Sequence, residues 1–141
     1  MSAAAATGVA VVFTWLGMVL AISFIEAPLK FRAPGVTVQL GLGIGRLVFR
    51  VLNAVEAVLA LVLIAAFALG LPGPAIAAGA VTVAVLVLQL ALVRPRLNKR
   101  SDRVLAGEDA PRSRGHLVYV ALELIKVIAL LVTGILLLAA R

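Results

Sequence analysis

Four long apolar stretches, separated by short polar or proline-containing segments, organise the chain. The first contains no charged residue between Ser2 and Ile25 and lacks the basic region that opens a secretory signal, so we interpret it as a membrane helix. A bilayer core of about 30 Å requires about 20 helical residues. The pattern predicts transmembrane helices at about residues 8–27, 44–69, 75–93 and 114–140.

Prolines, glycines and polar residues mark the ends of these predicted helices. Residues 28–43 are expected to form a turn followed by a segment at the membrane surface, and Leu71–Pro74 a tight hairpin. Pro95 is expected to kink the third helix, and residues 94–113 to form a second loop in which 96–104 continue as a polar helical extension. Ser113 is the predicted N-cap of the fourth helix.

The basic residues predict the orientation of the helices. Four of the thirteen Lys and Arg residues lie between Lys30 and Arg50, and seven lie between Arg94 and Arg114. Loops that follow the positive-inside rule face the cytoplasm. We therefore expect the loops at about 28–43 and 94–113 to be cytoplasmic, with both termini outside the cytoplasmic (inner) membrane.

Composition agrees with a bilayer as the solvent. The chain is 64% hydrophobic and 13% charged, and its mean hydropathy is +1.20. So short a chain could not bury this much apolar surface inside a soluble fold. The predicted fold class is all-α, a single integral membrane domain over residues 1–141 forming an antiparallel four-helix bundle. Ten Arg against three Lys, with abundant Ala, Val, Leu and Gly, is typical of a GC-rich bacterial genome.

Net charge and cysteine content exclude several classes of function. The net charge of +7 comes from clusters that flank apolar segments, without the interleaved aromatic residues that single-stranded nucleic acids require. We expect anionic lipid head groups at these loops and no nucleic-acid partner. The absence of cysteine excludes disulfides and thiolate metal ligands.

Polar residues inside the predicted membrane helices require an explanation, because a charge near the bilayer centre costs at least about 2.5–3.5 kcal/mol. Fourteen uncharged residues follow Glu56, and fourteen follow Lys126. At 1.5 Å per residue, both side chains lie about 9 Å from the cytoplasmic edge of the core. The intramembrane polar residues are Glu26, Asn53, Glu56, Gln89, Tyr119, Glu123 and Lys126.

Helical spacing places these residues on three stripes that are expected to face one another. Ser23 and Glu26 share a face of the first helix. The second helix presents Arg46, Arg50, Asn53 and Glu56, and the fourth presents His116, Tyr119, Glu123 and Lys126.

Two interpretations of this polar layer remain open. In the first it is structural: Lys126 pairs with Glu56 or Glu123, Glu26 pairs with Arg46 or Arg50, and the pairs fix the register of the helices. In the second, a cytoplasm-facing cavity binds a ligand or a proton. The candidate ligand-binding residues are Glu26, Arg46, Asn53, Glu56, Tyr119, Glu123 and Lys126.

Other features of the sequence give weaker signals. A di-iron bundle needs two Glu-x-x-His motifs, and this chain has a single histidine, so we expect no metal and no other cofactor. We expect His116 to be interfacial, the glycines of 41–45 to serve close packing, and Trp15 to have no special role. The small residues Ala75, Gly79 and Ala84 predict a tight interface, within the bundle or in a dimer.

Several short motifs resemble one family of membrane proteins. They are Trp15-Leu16-Gly17, the run from Glu26 to Arg32, the run from Gly45 to Arg50, and His116 followed by Tyr119 and Glu123. The chain resembles the small bacterial four-helix membrane proteins related to eukaryotic transmembrane protein 205. The resemblance implies the fold and the membrane location, with a link to export or tolerance of toxic solutes, and assigns no role to Glu26, Glu56 or Lys126.

Two functional hypotheses follow. The first is a small transporter or solute-binding protein, which would need to be a homo-oligomer because four helices enclose little volume. The second is a non-catalytic accessory or scaffold subunit of a membrane complex, docked through its basic loop to a partner membrane subunit. An enzyme is a weaker alternative, since no nucleophile–base pair is visible and no catalytic residue is proposed.

Overall fold

The computed structural model describes residues 1–109 and 114–140, and these are helical apart from short turns and ends. Four helices are long and apolar enough to cross a membrane, with mean hydropathies of 2.3 to 2.5 in their most apolar windows. The predicted all-α class is therefore confirmed for the described residues. Ser113, the predicted N-cap, and the last part of the predicted loop, 110–113, lie outside them. The helices are α1 (Ala3–Arg32), α2 (Val38–Ala68), α3 (Gly73–Leu105) and α4 (Arg114–Ala139).

Hydroxyl caps start α1 and α2 earlier than the apolar pattern alone indicates. The Ser2 hydroxyl accepts a hydrogen bond from the Ala5 amide at 3.0 Å, and the Thr37 hydroxyl accepts one from the Leu40 amide at 3.1 Å. Such caps satisfy backbone donors that have no partner within the helix. Most of the segment expected to lie at the membrane surface after Pro28 is therefore helical, with a turn between Arg32 and Val38.

Glycines in the left-handed region end two of the helices. Gly70 has φ 96° and follows the last turn of α2, while Gly107 has φ 90° and follows α3. The Gly107 and Glu108 amides bond to the carbonyls of Val104 and Arg103, both at 3.0 Å. This paired arrangement, in which glycine tolerates the positive φ, closes the polar extension of α3.

Both α1 and α3 contain a π-helical segment directly before a proline. The segments are Leu20–Glu26 and Gln89–Val93, and each ends two residues before Pro28 or Pro95. Proline donates no backbone hydrogen bond and its ring crowds the preceding turn, so a wider turn at this point lets the helix continue. Helix α3 accordingly runs through Pro95 to Leu105.

The distribution of side chains is inverted relative to a water-soluble bundle. Large apolar residues cover the outside: Leu61 is 67% exposed and Ile128 is 62% exposed. Charged and polar residues are buried inside, including Glu56, Glu123 and Lys126. An apolar exterior, with charged residues confined to the interior of the bundle, is the arrangement expected of helices surrounded by lipid.

Two clusters of apolar side chains hold the helices together. The larger one surrounds Trp15, which is fully buried and packs with residues of all four helices, among them Leu63, Leu86 and Leu130. The smaller cluster joins the start of α1 to the ends of α2 and α4 and the start of α3. Its buried members are Ala4, Ala66, Leu71, Ala75 and Leu137.

The small residues of α3 serve different surfaces. Ala75 is fully buried, and a Cβ atom added to Gly79 would lie 2.5 Å from the ring of Phe67. Ala84 is exposed. The expected small-residue interface therefore lies within the bundle for Ala75 and Gly79, and at Gly79 it faces α2, but Ala84 is not part of it.

This close approach predicts that Gly79→Leu lowers the free energy of unfolding by about 1–3 kcal/mol, because the ring of Phe67 must move. The measurement is unfolding in mixed micelles of a neutral detergent and dodecyl sulfate. Gly17→Leu is the matched control, since nothing lies within 4 Å of a Cβ atom there. Equal stability of the two variants would contradict close packing of α3 against α2.

Candidate functional site

A polar network crosses the interior of the bundle and draws side chains from all four helices. On α4, Glu123 and Lys126 are three residues apart and therefore share a face. The π-helical segments of α1 and α3 supply Ser23 and Gln89. The complete network consists of Trp15 and Ser23 on α1, Glu56 on α2, Gln89 on α3, and Glu123 and Lys126 on α4.

Lys126 is the centre of this network. Its ammonium Nζ lies 2.5 Å from Oε2 of Glu56, 2.6 Å from Oε1 of Glu123 and 2.8 Å from Oε1 of Gln89. The side chain is 0% exposed. An ammonium group has three protons to donate, and three acceptors surround it. The two acids predicted as alternative partners of Lys126 therefore both form ion pairs with it.

Neutral donors complete the surroundings of the two carboxylates. The indole Nε1 of Trp15 donates to Oε2 of Glu56 at 2.7 Å, and the Ser23 hydroxyl donates to Oε2 of Glu123 at 2.6 Å. The Gln89 amide donates to Oε1 of Glu123 at 3.2 Å. These bonds tie α1 and α3 to the charged residues of α2 and α4, so the network fixes the register of the helices.

The network contains more acidic than basic side chains. Two carboxylates surround one ammonium, which leaves a formal charge of −1 among these three side chains. Oε1 of Glu56 is buried and has no hydrogen-bond partner among the described residues. One acid and one base would be enough to fix the register of the helices. A purely structural pair therefore does not need the second carboxylate.

A cavity of about 390 Å³ adjoins the network. It is lined by the last turns of α1 and α3 and the first turns of α2 and α4, which we call the basic end of the bundle. Glu123 belongs both to the network and to the cavity wall, so the two are continuous. The polar lining residues are Ser23, Lys30, Arg46, Arg94, Asn98, Arg100, Ser101, His116, Tyr119 and Glu123.

Two cations of the cavity wall, Lys30 and Arg46, form ion pairs with acidic residues that do not line the cavity. Lys30 lies 3.6 Å from Oε1 of Glu26, one helical turn away, and Arg46 pairs with Asp102 on the extension of α3. The sequence predicts that Glu26 pairs with Arg46 or Arg50. This prediction is wrong, because Glu26 pairs with Lys30. The pair of Arg46 with Asp102 joins α2 to the extension of α3 beside the cavity.

Arg94 lies against two aromatic rings. Its guanidinium carbon lies 4.9 Å from the ring centroid of Phe49 and 4.5 Å from that of Tyr119. The two rings meet edge to face, with centroids 5.9 Å apart. Cation–π contacts with both rings hold the guanidinium in place. Nε and Nη2 of Arg94 are buried and have no hydrogen-bond partner among the described residues.

The seven candidate ligand-binding residues fall into four groups. Glu56, Glu123 and Lys126 meet in the network, and Glu123, Tyr119 and Arg46 line the cavity. Glu26 lies beside the cavity through its pair with Lys30. Asn53 is half-buried and belongs neither to the network nor to the cavity lining.

Trp15 corrects an expectation drawn from the sequence. It was expected to have no special role, yet it donates a hydrogen bond to Glu56 and stands at the centre of the apolar core. Its spacing from Ser23 is about two helical turns, which places both on one face of α1. This shared face is the feature of the sequence from which a role of Trp15 in the polar network could have been predicted.

Metal binding finds no support in the arrangement of side chains. Over residues 1–109 and 114–140, no group of three or more His, Asp or Glu side chains could hold a metal ion. The carboxylates of the network face an ammonium, and His116 lies in the cavity wall.

Comparison with known proteins adds no assignment. The chain matches no protein-family model, no curated protein and no solved structure.

Proposed function

We propose that this chain is a small membrane protein that binds a solute in the cavity at its basic end and, as a homodimer, moves that solute across the bilayer. The observation that carries the proposal is the continuity between a cavity of about 390 Å³ and a buried, charged network. Binding sites for small molecules commonly have volumes of about 300–1,000 Å³ and few polar groups that converge.

The proposal includes an arrangement in the membrane. In it the four helices are antiparallel, both termini face outward and the basic end faces the cytoplasm of a bacterial inner membrane, where anionic lipid head groups surround Lys and Arg. Support comes from the basic residues at the ends of α1 and α3 and the starts of α2 and α4. The relation to the family of transmembrane protein 205 is part of the same proposal.

A solute-binding protein is favoured over an accessory subunit by the composition of the cavity wall. All four helices contribute to the wall, and Arg94 and Tyr119 each present buried hydrogen-bonding atoms without a partner among the described residues. A scaffold that docks through an exposed basic loop requires no such cavity. Buried polar atoms left without partners are costly, and a bound solute would satisfy them.

Native mass spectrometry of the full chain, released from neutral-detergent micelles, tests this function. We expect the wild-type protein to carry a reproducible mass that is not detergent, on a dimer. Ala27→Phe, which places a ring in the cavity wall, should reduce the carried fraction at least about tenfold because the solute loses its space.

The matched control places the same ring on the same helix but outside the cavity. Ala21 is exposed on α1 and does not line the cavity, so Ala21→Phe should retain the mass. A wild-type protein that carries nothing, in repeated preparations, would contradict solute binding and favour the accessory subunit.

A further inference from the structure

We propose that the cavity binds an organic monoanion, a carboxylate or a phosphodiester on an apolar body, whose oxygens accept hydrogen bonds from Arg94 and Tyr119. This inference rests on the proposed solute-binding function and names the chemical class of the solute. It is carried by the unpartnered donors of these two residues, the distribution of ion pairs around them, and the apolar remainder of the wall.

Ion pairs engage several of the cations in and beside the wall, but not Arg94. Glu26 pairs with Lys30, Asp102 with Arg46, and Glu123 with Lys126. Arg94 forms no ion pair with any residue in the described part of the chain. A half-buried guanidinium without a carboxylate at contact distance is best neutralised by an anion from outside the protein.

The orientation of Arg94 suits the binding of two oxygens at once. Nε and Nη2, the two nitrogens without partners, lie on one edge of the guanidinium, and this edge donates two parallel hydrogen bonds. The guanidinium carbon lies 4.9 Å and 4.5 Å from the ring centroids of Phe49 and Tyr119, and these contacts restrict the position of Arg94 before a ligand arrives. Carboxylates and phosphodiesters present the matching pair of oxygens.

Tyr119 gives a second donor beside this edge. Its side chain is 7% exposed and lines the cavity, and its hydroxyl has no hydrogen-bond partner among the described residues. Its ring already contacts Arg94. Because the two side chains are in contact and both line the cavity, one ligand can accept hydrogen bonds from both.

Glu123 disfavours a second negative charge on the ligand near the inner end of the cavity. The three charged side chains at the inner end of the cavity carry a formal charge of −1, and Glu123 among them lies in the wall. A second anionic group on the ligand would approach this charge in a medium of low dielectric constant, where like charges repel strongly. A monoanion can bind at Arg94 without that repulsion.

Most of the remaining wall calls for an apolar body on the ligand. Phe24, Phe31, Leu97 and Val120 lie among the lining residues, together with Pro28 and Leu42. An inorganic anion, comparable with a few water molecules of about 30 Å³ each, would leave most of the 390 Å³ empty. Two sources share the required chemistry: a water-soluble organic acid and the head group of an anionic phospholipid.

Calorimetric titration of the full chain in neutral-detergent micelles tests the charge requirement. The probes are 1-naphthoate and its uncharged analogue 1-naphthalenemethanol, which differ in the anionic group. We expect naphthoate to bind at least about tenfold more tightly, and Arg94→Gln to abolish this preference, because charge-assisted hydrogen bonds contribute a factor of about ten or more. Tyr119→Phe should weaken naphthoate about three- to tenfold.

Two variants separate this role from a general effect of charge or folding. Arg96→Gln removes the same charge from an exposed position two residues along α3 and should change naphthoate binding less than about twofold. Arg94→Lys keeps the charge but cannot donate two parallel bonds, so its affinity should be intermediate. Thermal unfolding confirms that each variant is folded before it is titrated.

Native mass spectrometry then distinguishes the two sources. Retention of dioleoylphosphatidylglycerol over dioleoylphosphatidylcholine, lost in Arg94→Gln, identifies a lipid head group; binding of naphthoate without this lipid preference identifies a soluble acid. Equal binding of the two naphthyl probes, or equal behaviour of Arg94→Gln and Arg96→Gln, overturns the anion proposal. The anion proposal is also overturned if the protein binds neither naphthoate nor phosphatidylglycerol. If the protein in that case still carries a mass from cells, and Ala27→Phe loses it, the solute-binding function stands without the anion proposal.

Discussion

Replacing Lys126 by methionine is expected to lower the free energy of unfolding by about 3–5 kcal/mol, because it removes the one cation of a buried ionic network. The ammonium contacts Glu56, Glu123 and Gln89 within 2.8 Å, and each of these partners is at most 1% exposed. Methionine has a similar length and volume, so the loss reports the charge and its hydrogen bonds more than packing. Unfolding in mixed micelles measures the change.

Two comparisons make this prediction specific to the network. Lys99→Met removes the same charge from an exposed position on α3 and should leave the free energy of unfolding unchanged. Adding Glu56→Gln and Glu123→Gln to Lys126→Met removes the uncompensated acids and should restore more than half of the lost stability. A Lys126→Met protein as stable as Lys99→Met would show that the ionic network does not stabilise the bundle.

Trp15→Ala is the second change with a large expected effect, a loss of about 3–5 kcal/mol in the free energy of unfolding. Trp15 is the largest fully buried side chain and the centre of the cluster formed by all four helices. Its removal leaves a cavity that lipid cannot enter, and the surrounding side chains lose their dispersion contacts. The same micellar unfolding experiment measures the loss.

Trp15→Phe separates the hydrogen bond of Trp15 from its volume. Phenylalanine retains most of the packing but cannot donate to Oε2 of Glu56, so we expect a loss of about 1–3 kcal/mol. In a Glu56→Gln background, the additional cost of Trp15→Phe should become smaller because the acceptor is no longer charged. If Trp15→Phe cost as much as Trp15→Ala, the hydrogen bond would account for the whole effect and packing for none.

Hydropathy and helical spacing were sufficient to predict the membrane helices and to predict that Glu56, Glu123 and Lys126 lie close together. An uncharged run of about 20 residues has few alternatives to a transmembrane helix. Charged residues inside such a run have few alternatives to one another, because lipid offers them no partner. The pairing of Lys126 with both acids follows from these two constraints and from the three-residue spacing on α4.

The contacts of α1 and α3 with Glu123 depend on the course of the backbone near Pro28 and Pro95, and they could not be predicted from the sequence. The π-helical turns before these prolines alter the helical phase, so a regular 3.6-residue period does not describe which side chains of α1 and α3 reach Glu123. Arg94 was assigned to a loop because basic residues near a helix end usually face water. Its position between Phe49 and Tyr119 depends on contacts between three helices, which no local pattern encodes.

The ionic network also sets an order for biosynthesis. Glu123 and Lys126 share α4, so that helix can enter the bilayer as a neutral pair. Glu56 is on α2, and its cation Lys126 lies 70 residues further along the chain. The two can pair only after α3 and α4 have been translated and inserted. Until then Trp15, already synthesised, is the donor available to it. A nascent chain released before α4 would therefore carry an unneutralised carboxylate in the membrane, which makes arrival of the last helix the step that completes assembly.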